Sequence, residues 1–261
     1  VTIGGNSLTI DIDDDEAAAS WGSELGSVSA TDTPDVGQLV IPAHKLVAEP
    51  EISTEMLQDA YFNIEAWLQN KVADKISRSE NTAFITGNGV DRPKGLTAYT
   101  DGGSSGTYTR DALERIPSGS NTAVTADGII SLQNSLKEAY QNRAVFMMKR
   151  GTFGDVLKLK DTNNYKFIGF QPADRQGLIQ LTLLGKQVIF ADDFDANGTQ
   201  NNVIAAYGDF SVGYTIVDKV GLTILRNPFR TTGKVIYQVE KRVGGAVTNF
   251  EAIKLMDNNA S

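Results

Sequence analysis

The chain has no cysteine and only one histidine, His44, among its 261 residues. Without cysteine it can form no disulfide, thiolate nucleophile or thiolate metal site. His44 lies in an apolar, strand-like segment with no partner for general-base or metal chemistry close to it in sequence, so we interpret it as a structural residue. We therefore expect no catalytic residue, no cofactor and no metal site.

Long apolar runs are also missing from the sequence. No stretch approaches the roughly 18 residues that a transmembrane helix needs, and the first residues lack the basic and apolar regions of a secretory signal. We expect no membrane partner. The hydrophobic content of 41% is sufficient for a folded core.

Basic residues are absent from the first 44 positions. These positions carry eight acids, whereas the rest of the chain has 24 acids and 24 bases, so the net charge of −8 resides in the N-terminal segment. Such a segment is either a solvated, flexible tail or a segment that lies on a basic surface. Its acids are Asp11, Asp13, Asp14, Asp15, Glu16, Glu24, Asp32 and Asp35.

Glycine and proline are absent from residues 51–86. Apolar residues recur there at helical spacing from Leu57 to Ile76, and Ser53 or Thr54 can cap the start. The pattern predicts one uninterrupted helix over about residues 53–80, with a length of about 40 Å at 1.5 Å per residue. A helix of this length is typical of an extended scaffold.

Shorter helices and many strands are predicted elsewhere in the chain. Asp127 is expected to cap an amphipathic helix that runs to Arg143, and Thr152 to cap a shorter helix through Lys160. Together these elements predict an α+β fold. The predicted strands cover residues 7–12, 37–47, 144–148, 180–184, 187–191, 203–207, 213–217, 222–225, 235–240 and 249–255.

Three segments suggest a ligand site, but none matches one in detail. The glycines of residues 87–95 follow a helix and Lys94 precedes the last of them, whereas a phosphate loop needs G-x-x-x-x-G-K-[ST] between a strand and a helix. Gly87 as the helix C-cap explains this turn better. The acids of residues 11–16 lack the hinge glycine and terminal glutamate of a calcium loop, and those of residues 192–195 fit a solvated turn.

Several motifs follow one another in a fixed order. Residues 19–34 look like an extended loop, residues 52–84 like a spine helix, and residues 83–96 like the turn that closes such a helix. Further motifs lie at residues 184–188, 207–221 and 241–255. Each is weak alone, but their order over nearly the whole chain resembles the major capsid protein family of tailed bacteriophages, which has the Hong Kong 97 fold.

The resemblance implies an α+β, Hong Kong 97-like capsid fold with an extended β-hairpin loop, a long spine helix, a peripheral domain and an axial domain. Residues 1–48 would form the extended loop, with the family's N-terminal arm missing or very short. Residues 49–121 and 225–261 would form the peripheral domain, with the spine helix at about residues 53–80. Residues 122–224 would form the axial domain.

The resemblance also implies a structural protein, not an enzyme, that self-assembles into hexamers and pentamers of an icosahedral phage head around double-stranded DNA. The expected partners are other copies of the chain, packaged DNA bound without sequence specificity, and portal, scaffold or protease and decoration proteins. The expected location is the virion, after assembly in the host cytoplasm. Some members crosslink subunits through a lysine of the extended loop, but residues 1–44 contain none.

Two alternatives remain open at this point: an encapsulin-like protein nanocompartment shell and a monomeric carboxylate-dependent hydrolase. In a shell, we expect the loop acids to face basic residues of an adjacent subunit, with Trp21 as an apolar contact. The bases could instead lie on solvated helix faces. The predicted intersubunit contacts are Asp13, Asp14, Asp15, Glu16, Trp21, Glu24, Lys71, Lys75, Arg78, Lys241 and Arg242.

Overall fold

The computed structural model describes residues 1–13, 36–59, 61–103, 109–160 and 182–260. The helices of these ranges are α1 (Thr54–Asp59), α2 (Ile64–Thr86), α3 (Ala126–Ser135), α4 (Glu138–Gln141), α5 (Arg150–Lys158) and α6 (Phe210–Gly213), and a 3₁₀ turn spans Leu96–Ala98. The strands are β1 (Ser7–Asp13), β2 (Val36–Pro42), β3 (His44–Ala48), β4 (Glu51–Ser53), β5 (Thr100–Asp101), β6 (Ala112–Leu113), β7 (Arg115–Pro117), β8 (Val145–Met148), β9 (Thr182–Leu183), β10 (Lys186–Phe190), β11 (Val203–Gly208), β12 (Tyr214–Thr231), β13 (Lys234–Val247) and β14 (Ile253–Asp257).

Two sheets carry most of the fold. The larger sheet has six strands in the order β7-β14-β11-β8-β10-β9. Apolar residues of α3 and α5, among them Leu132 and Val156, share a buried cluster with Phe146 and Tyr207 of this sheet. The smaller sheet has the order β12-β13-β3, and β4 also pairs with β13. This mixture of helices and sheets agrees with the predicted α+β class.

The larger sheet crosses the predicted domain boundaries. Strands β7 and β14 fall in the segments assigned to the peripheral domain, but β14 pairs with β11 and β7 pairs with β14. The larger sheet therefore combines strands from the predicted peripheral and axial domains, because the chain returns to this sheet after completing β12 and β13. The division at residues 48, 121 and 224 stays a prediction.

The first two strands form an antiparallel hairpin. Its register runs from Ser7 opposite Pro42 to Asp13 opposite Val36, which confirms the predicted first strand. The predicted second strand, residues 37–47, is wrong as one element. It is divided at Ala43, because β2 pairs with β1 whereas β3 pairs with β13 in a different sheet.

The long helix is interrupted, so the prediction of one continuous helix over residues 53–80 is wrong. Helix α1 ends at Asp59, and α2 begins at Ile64 and continues to Thr86, so its 23 residues span about 35 Å. The Asn63 side chain accepts a hydrogen bond from the Ala66 backbone N–H at 3.0 Å and caps the second start. An asparagine that satisfies a free N–H in this way favours a new helix start over continuation.

The glycine-rich turn after α2 folds back onto the end of the helix. Gly87 is the C-cap, as predicted, and the Gly95 N–H donates to the Gly87 carbonyl at 2.8 Å. A Cβ on Gly95 would lie 2.5 Å from the Ile85 carbonyl oxygen, and a Cβ on Gly87 would lie 2.2 Å from the Pro93 oxygen. The two glycines therefore permit a close backbone approach that any side chain would prevent.

Three further boundaries differ from the predictions. Thr125, not Asp127, caps α3 by accepting from the Gly128 N–H at 3.1 Å, and α3 stops at Ser135. Helix α5 begins at Arg150, which leaves Thr152 buried inside it. Strand β12 joins the two strands predicted at 213–217 and 222–225, because both parts pair with the continuous strand β13 through register shifts.

Candidate assembly surfaces

The basic residues predicted on the long helix form one row. Lys71, Lys75 and Arg78 are four and three positions apart on α2, so they share a helix face, and all three are exposed. Arg78 Nε donates to the Asp74 carbonyl at 3.3 Å. Among the residues that the structure describes, none of the three pairs with a carboxylate. The row therefore has charge available for a partner.

A groove of about 740 Å³ lies between α2 and the larger sheet, beside this row. Lys75 and Arg78 form its exposed edge on the helix side, and Asp192 and Asp193 lie on the side that follows β10. The Thr82 hydroxyl donates to Asp193 Oδ1 at 2.7 Å, which ties α2 to that side. The lining is largely apolar and includes Phe84, Met147, Ile189, Phe190, Phe210 and Tyr214.

A ring contact and a hydrogen bond hold Tyr214 in the aromatic lining of the groove. Tyr214 packs edge-on against Phe84 at 5.9 Å, and its hydroxyl donates to the Lys94 carbonyl at 3.0 Å. Burial raises the pKa of Tyr214 above the usual range, so the ring stays neutral. The groove therefore has an uncharged aromatic wall beside its basic edge.

Asp209 holds the short helix that places Phe210 in the groove. Its carboxylate caps α6 by accepting from the Ser211 N–H at 3.1 Å, and it pairs with Arg143 at 3.0 Å. Burial alone would raise the pKa of Asp209, but the hydrogen bonds from Ser211 and the charge of Arg143 outweigh it and lower the pKa. Asp209 is therefore ionised at neutral pH.

The other two predicted basic contacts have partners inside the subunit. Lys241 Nζ lies 2.8 Å from Glu80 Oε1 of α2 and 4.0 Å from Asp218 Oδ2. Arg242 lies 3.5 Å from Glu240 Oε1 and faces the other side of the sheet, since neighbouring residues of a strand alternate. Their role between subunits stays a prediction, but both already serve the fold.

The predicted acidic contacts lie at or beyond the end of the first hairpin. Asp13 is the last residue of β1 and pairs with Val36, although its side chain is not described. Asp14, Asp15, Glu16, Trp21 and Glu24 lie outside the described residues. The described residues therefore include all the predicted basic contacts but, of the acidic ones, only the backbone of Asp13.

An exposed aromatic cluster at the start of α2 was not predicted. Tyr61, Phe62 and Trp67 are 97%, 44% and 50% exposed, and the rings meet edge-to-face at 5.0 and 6.4 Å. Phe229, at the tip of the β12–β13 hairpin, is 93% exposed. Helical spacing could not reveal this cluster, because an aromatic residue in a helical pattern is usually read as core.

The same hairpin is tied to the start of α2 through Glu65. The Tyr237 hydroxyl and Arg226 Nε both donate to Glu65 Oε1, the second at 3.2 Å. The hydrogen bond from Tyr237, with the charge of Arg226, lowers the pKa of Glu65. The aromatic cluster therefore lies beside an anchored hairpin.

Strand β12 forms an outer edge of the smaller sheet, and its middle part is exposed on both faces. Leu222, Ile224 and Leu225 are each at least 40% exposed. Residues Val1 and Ile3 bond to the edge only near Asp218. Natural proteins rarely leave an apolar edge strand uncovered, so this edge is a second candidate surface for association.

The described ranges lack two features. They contain no group of three potential ligands that could hold a metal ion, and none of their helices is long and apolar enough to cross a membrane. His44 lies opposite Val243 in the β3–β13 pair.

Comparison with known proteins identifies the family. The model of the phage capsid family matches residues 1–258. The structure described as the capsid of a native GTA particle, computed with C5 symmetry, matches with a TM-score of 0.90 and 34% identity, and the match covers 100% of this chain and 87% of that chain. The major capsid protein of Escherichia phage T5 is 26% identical over an alignment of 196 residues, and the alignment covers 72% of this chain but only 42% of that protein.

A more distant structure shows the same fold. The chain from Microbacterium phage Oxtober96 matches with a TM-score of 0.65 at 13% identity, over 99% of this chain and 88% of that chain. The structural match thus persists where little sequence identity is left. The chain belongs to the phage capsid family and has the Hong Kong 97-like fold that the order of its motifs indicates.

Proposed function

We propose that this chain is a major capsid protein that self-assembles into hexamers and pentamers of an icosahedral phage head enclosing double-stranded DNA. The observation that carries the proposal is the match over the whole chain to the capsid of a native GTA particle, at a TM-score of 0.90. In this proposal the chain performs no catalysis, belongs to the virion and is assembled in the host cytoplasm. Portal, scaffold or protease, and decoration proteins would be further partners.

The exposed apolar surfaces support self-association. The aromatic cluster and the edge of β12 place large apolar side chains in water, whereas monomeric proteins rarely expose extended apolar patches. Burial of such side chains stabilises an interface by about 25 cal/mol for each Å² removed from water. Contact with further copies of the same chain would cover them.

The charge distribution supports a container for DNA that does not bind it tightly. A net charge of −8 per subunit gives an unfavourable average interaction with phosphates. Enclosed DNA would then be confined by the shell, without sequence-specific contacts.

The test is to purify the chain as particles and to measure their size and content. We expect a species of megadalton size that elutes at the void volume of a sizing column and forms icosahedral shells in electron micrographs. DNA in particles from a phage lysate would support a phage head. A 28.1 kDa monomer would contradict the proposal, and shells that hold protein cargo instead of DNA would favour a nanocompartment.

A further inference from the structure

The groove between α2 and the larger sheet has the size and the lining of a site for a small organic molecule. Its volume of about 740 Å³ lies within the range of about 300–1,000 Å³ that is usual for such sites. Met147 of β8 and Ile189 of β10 are register partners and line the groove side by side. Ile189 and Ile216 are 40% and 43% exposed. An apolar molecule in the groove would remove this surface from water.

Contacts within the subunit hold the walls of the groove in place. The hydrogen bond from Thr82 to Asp193 joins α2 to the segment that follows β10. Phe190 packs edge-on against Phe153 of α5 at a centroid distance of 5.5 Å, and Tyr214 has the two contacts described above. Because the lining is already ordered by these contacts, a bound molecule would lose little affinity to the ordering of side chains.

The two sides of the groove differ in charge. Lys75 and Arg78 are exposed on the helix side, and neither pairs with a carboxylate among the described residues. Asp192 and Asp193 lie on the opposite side. An anionic group beside α2 would gain two cations without displacing an existing ion pair, whereas the same group on the opposite side would meet two carboxylates. The charges therefore select an anionic group on the helix side.

We infer that the groove binds an organic anion that has an apolar body and a single acidic head, of the chemical class of a long-chain carboxylate. The head lies between Lys75 and Arg78, and the body lies along Phe84, Phe210 and Tyr214. The inference does not depend on the proposed function, because all the residues that line the groove belong to one copy of the chain. It adds a ligand site to a protein whose proposed role is structural.

The spacing along α2 sets the minimum length of the ligand. Arg78 and Phe84 are six positions apart, about 9 Å along the helix axis, and Lys75 and Phe84 are nine positions apart, about 13 Å. A head between the two bases therefore reaches the aromatic wall only if it carries an extended body. A short acid such as acetate would contact the bases but would leave the apolar lining in water.

Nucleic acid is the main competing occupant of a basic row. A strand carries one negative charge at each nucleotide, so a strand in the groove would place phosphates beside Asp192 and Asp193 as well as beside α2. Its phosphates would also face the apolar lining, where they lose water without gaining a partner. An anion with one head avoids both costs, because its only charge lies at the basic edge.

Calorimetric titration with straight-chain carboxylates, kept below the concentrations at which they form micelles, tests the inference. We expect one site per chain. From octanoate to dodecanoate the affinity should rise by up to about fourfold for each added methylene group, the effect of burying one such group. Dodecyltrimethylammonium has the same alkyl chain and the opposite charge, and it should bind about 5-fold more weakly or less. Equal affinity for the two dodecyl ions would overturn the inference.

Substitutions at the basic edge test the position of the head. Lys75→Met should weaken dodecanoate binding about 3-fold, and Lys75→Met with Arg78→Met about 10-fold, because exposed ion pairs are lost. Lys71→Met is the matched control, since Lys71 is exposed on the same face of α2 but does not line the groove; its affinity should be unchanged. Asp192→Asn should strengthen binding, because it removes a repelling charge. Equal effects of Lys75→Met and Lys71→Met would overturn the inference.

A larger side chain inside the groove tests the position of the apolar body. Ile189→Trp places a ring where the ligand would lie and should weaken dodecanoate binding about 10-fold or more, the effect of losing about two buried methylene groups. Leu225→Trp is the matched control, because Leu225 is 60% exposed on the edge of β12 and does not line the groove. Circular dichroism checks that both variants are folded. Unchanged affinity in folded Ile189→Trp would contradict the groove as the site.

The outcomes separate the inference from the proposed function when both the unassembled chain and the particles are titrated. Failure to form particles contradicts only the shell proposal, and failure of both forms to bind dodecanoate contradicts only the ligand site. Binding that is lost in particles would overturn the inference, since a neighbouring copy would then occupy the groove.

Two further results would also overturn the inference. One is several weak sites that are insensitive to Lys75→Met, because dodecanoate would then be coating exposed apolar surface. The other is a short single-stranded DNA that displaces dodecanoate and is itself lost in Lys75→Met with Arg78→Met, because the basic row would then bind nucleic acid. A single site that responds to chain length, head charge and Lys75 supports the inference.

Discussion

Lys241 Nζ lies 2.8 Å from Glu80 Oε1, and this ion pair joins β13 to the C-terminal half of α2. The two side chains are only 20% and 11% exposed, so either charge would be poorly solvated without the other. Removing one partner of a buried pair is costly, whereas removing both is often nearly neutral. The pair therefore fixes the position of α2 on the smaller sheet more than it adds net stability.

We predict that Lys241→Met lowers the free energy of unfolding of the unassembled chain by about 2–3 kcal/mol, because the Glu80 charge loses its partner. The double variant Glu80→Gln, Lys241→Met should recover most of this loss in urea unfolding. Lys45→Met is the control: Lys45 pairs with Glu240 at 2.8 Å but is 45% exposed, and its loss should cost less than about 1 kcal/mol. Equal effects of Lys241→Met and Lys45→Met would contradict this account.

The glycine turn after α2 predicts opposite effects of the same substitution at two sites. Gly95→Ala should destabilise the chain by about 2 kcal/mol or more, because the new methyl group would overlap the Ile85 carbonyl. Gly154→Ala should stabilise it by about 0.5–1 kcal/mol, since Gly154 lies inside α5 with nothing within 4 Å of a new Cβ. Thermal unfolding of both variants shows whether each substitution raises or lowers stability. A stabilising Gly95→Ala would show that the turn does not need this close approach.

The start of α2 at Asn63 gives a third prediction. Asn63→Ala should reduce stability by about 1 kcal/mol, because the Ala66 N–H loses its acceptor. Asn63→Asp keeps an acceptor at the same position and should stay close to the natural chain in the same urea titration. If Ala and Asp have the same effect, the side chain of Asn63 does not determine where α2 begins.

The predicted features that the structure confirms depend on local pattern. The alternation of residues 7–12 marks β1, Gly87 marks the end of α2, and the spacing of Lys71, Lys75 and Arg78 puts them on one exposed face. These features need only neighbours within a few positions, so the sequence is enough to predict them.

The features that the sequence did not predict depend on distant contacts. Lys241 and Glu80 are 161 positions apart, and Thr82 and Asp193 are 111 apart, so no local spacing indicates either pair. The break before Ile64 interrupts a run without glycine or proline, where helical spacing continues on both sides. The groove exists only because α2 and the larger sheet come together in the folded chain.

Asp209 predicts a dependence of stability on pH. Its pKa is lowered in the folded state, so its ionised form stabilises the fold at pH above about 4, the value of an unfolded aspartate. This contribution is lost as the pH falls through the folded pKa. Asp209→Asn should cost about 2 kcal/mol at pH 7, because the charged bond to Arg143 is lost.

The measurement is urea unfolding of the natural chain and of Asp209→Asn at a series of pH values from 7 downward. The difference between them should shrink as the pH falls below about 4, where the natural chain also loses its charge. Asp59→Asn controls for the removal of an exposed carboxylate. A difference that stays constant over the whole series would mean that the charge of Asp209 does not contribute.

Substitutions of the exposed aromatic residues are expected to weaken assembly without changing the stability of the fold. Tyr61 and Phe229 are 97% and 93% exposed, so replacing either with serine removes almost no contact within the subunit. Unfolding free energies should therefore stay within about 0.5 kcal/mol of the natural chain. If these rings are covered by neighbouring copies, the concentration needed for assembly should rise about 10-fold, as expected for a buried aromatic anchor.

Val90→Ser is the matched control for these aromatic variants. Val90 is 65% exposed, but it stands alone in the turn after α2 and does not belong to the aromatic cluster. Light scattering against protein concentration compares the variants directly. The aromatic rings do not support the isolated fold, so these variants report on assembly alone. A normal assembly curve for Tyr61→Ser and Phe229→Ser would mean that contacts between copies form elsewhere. The edge of β12 would then be the next surface to test.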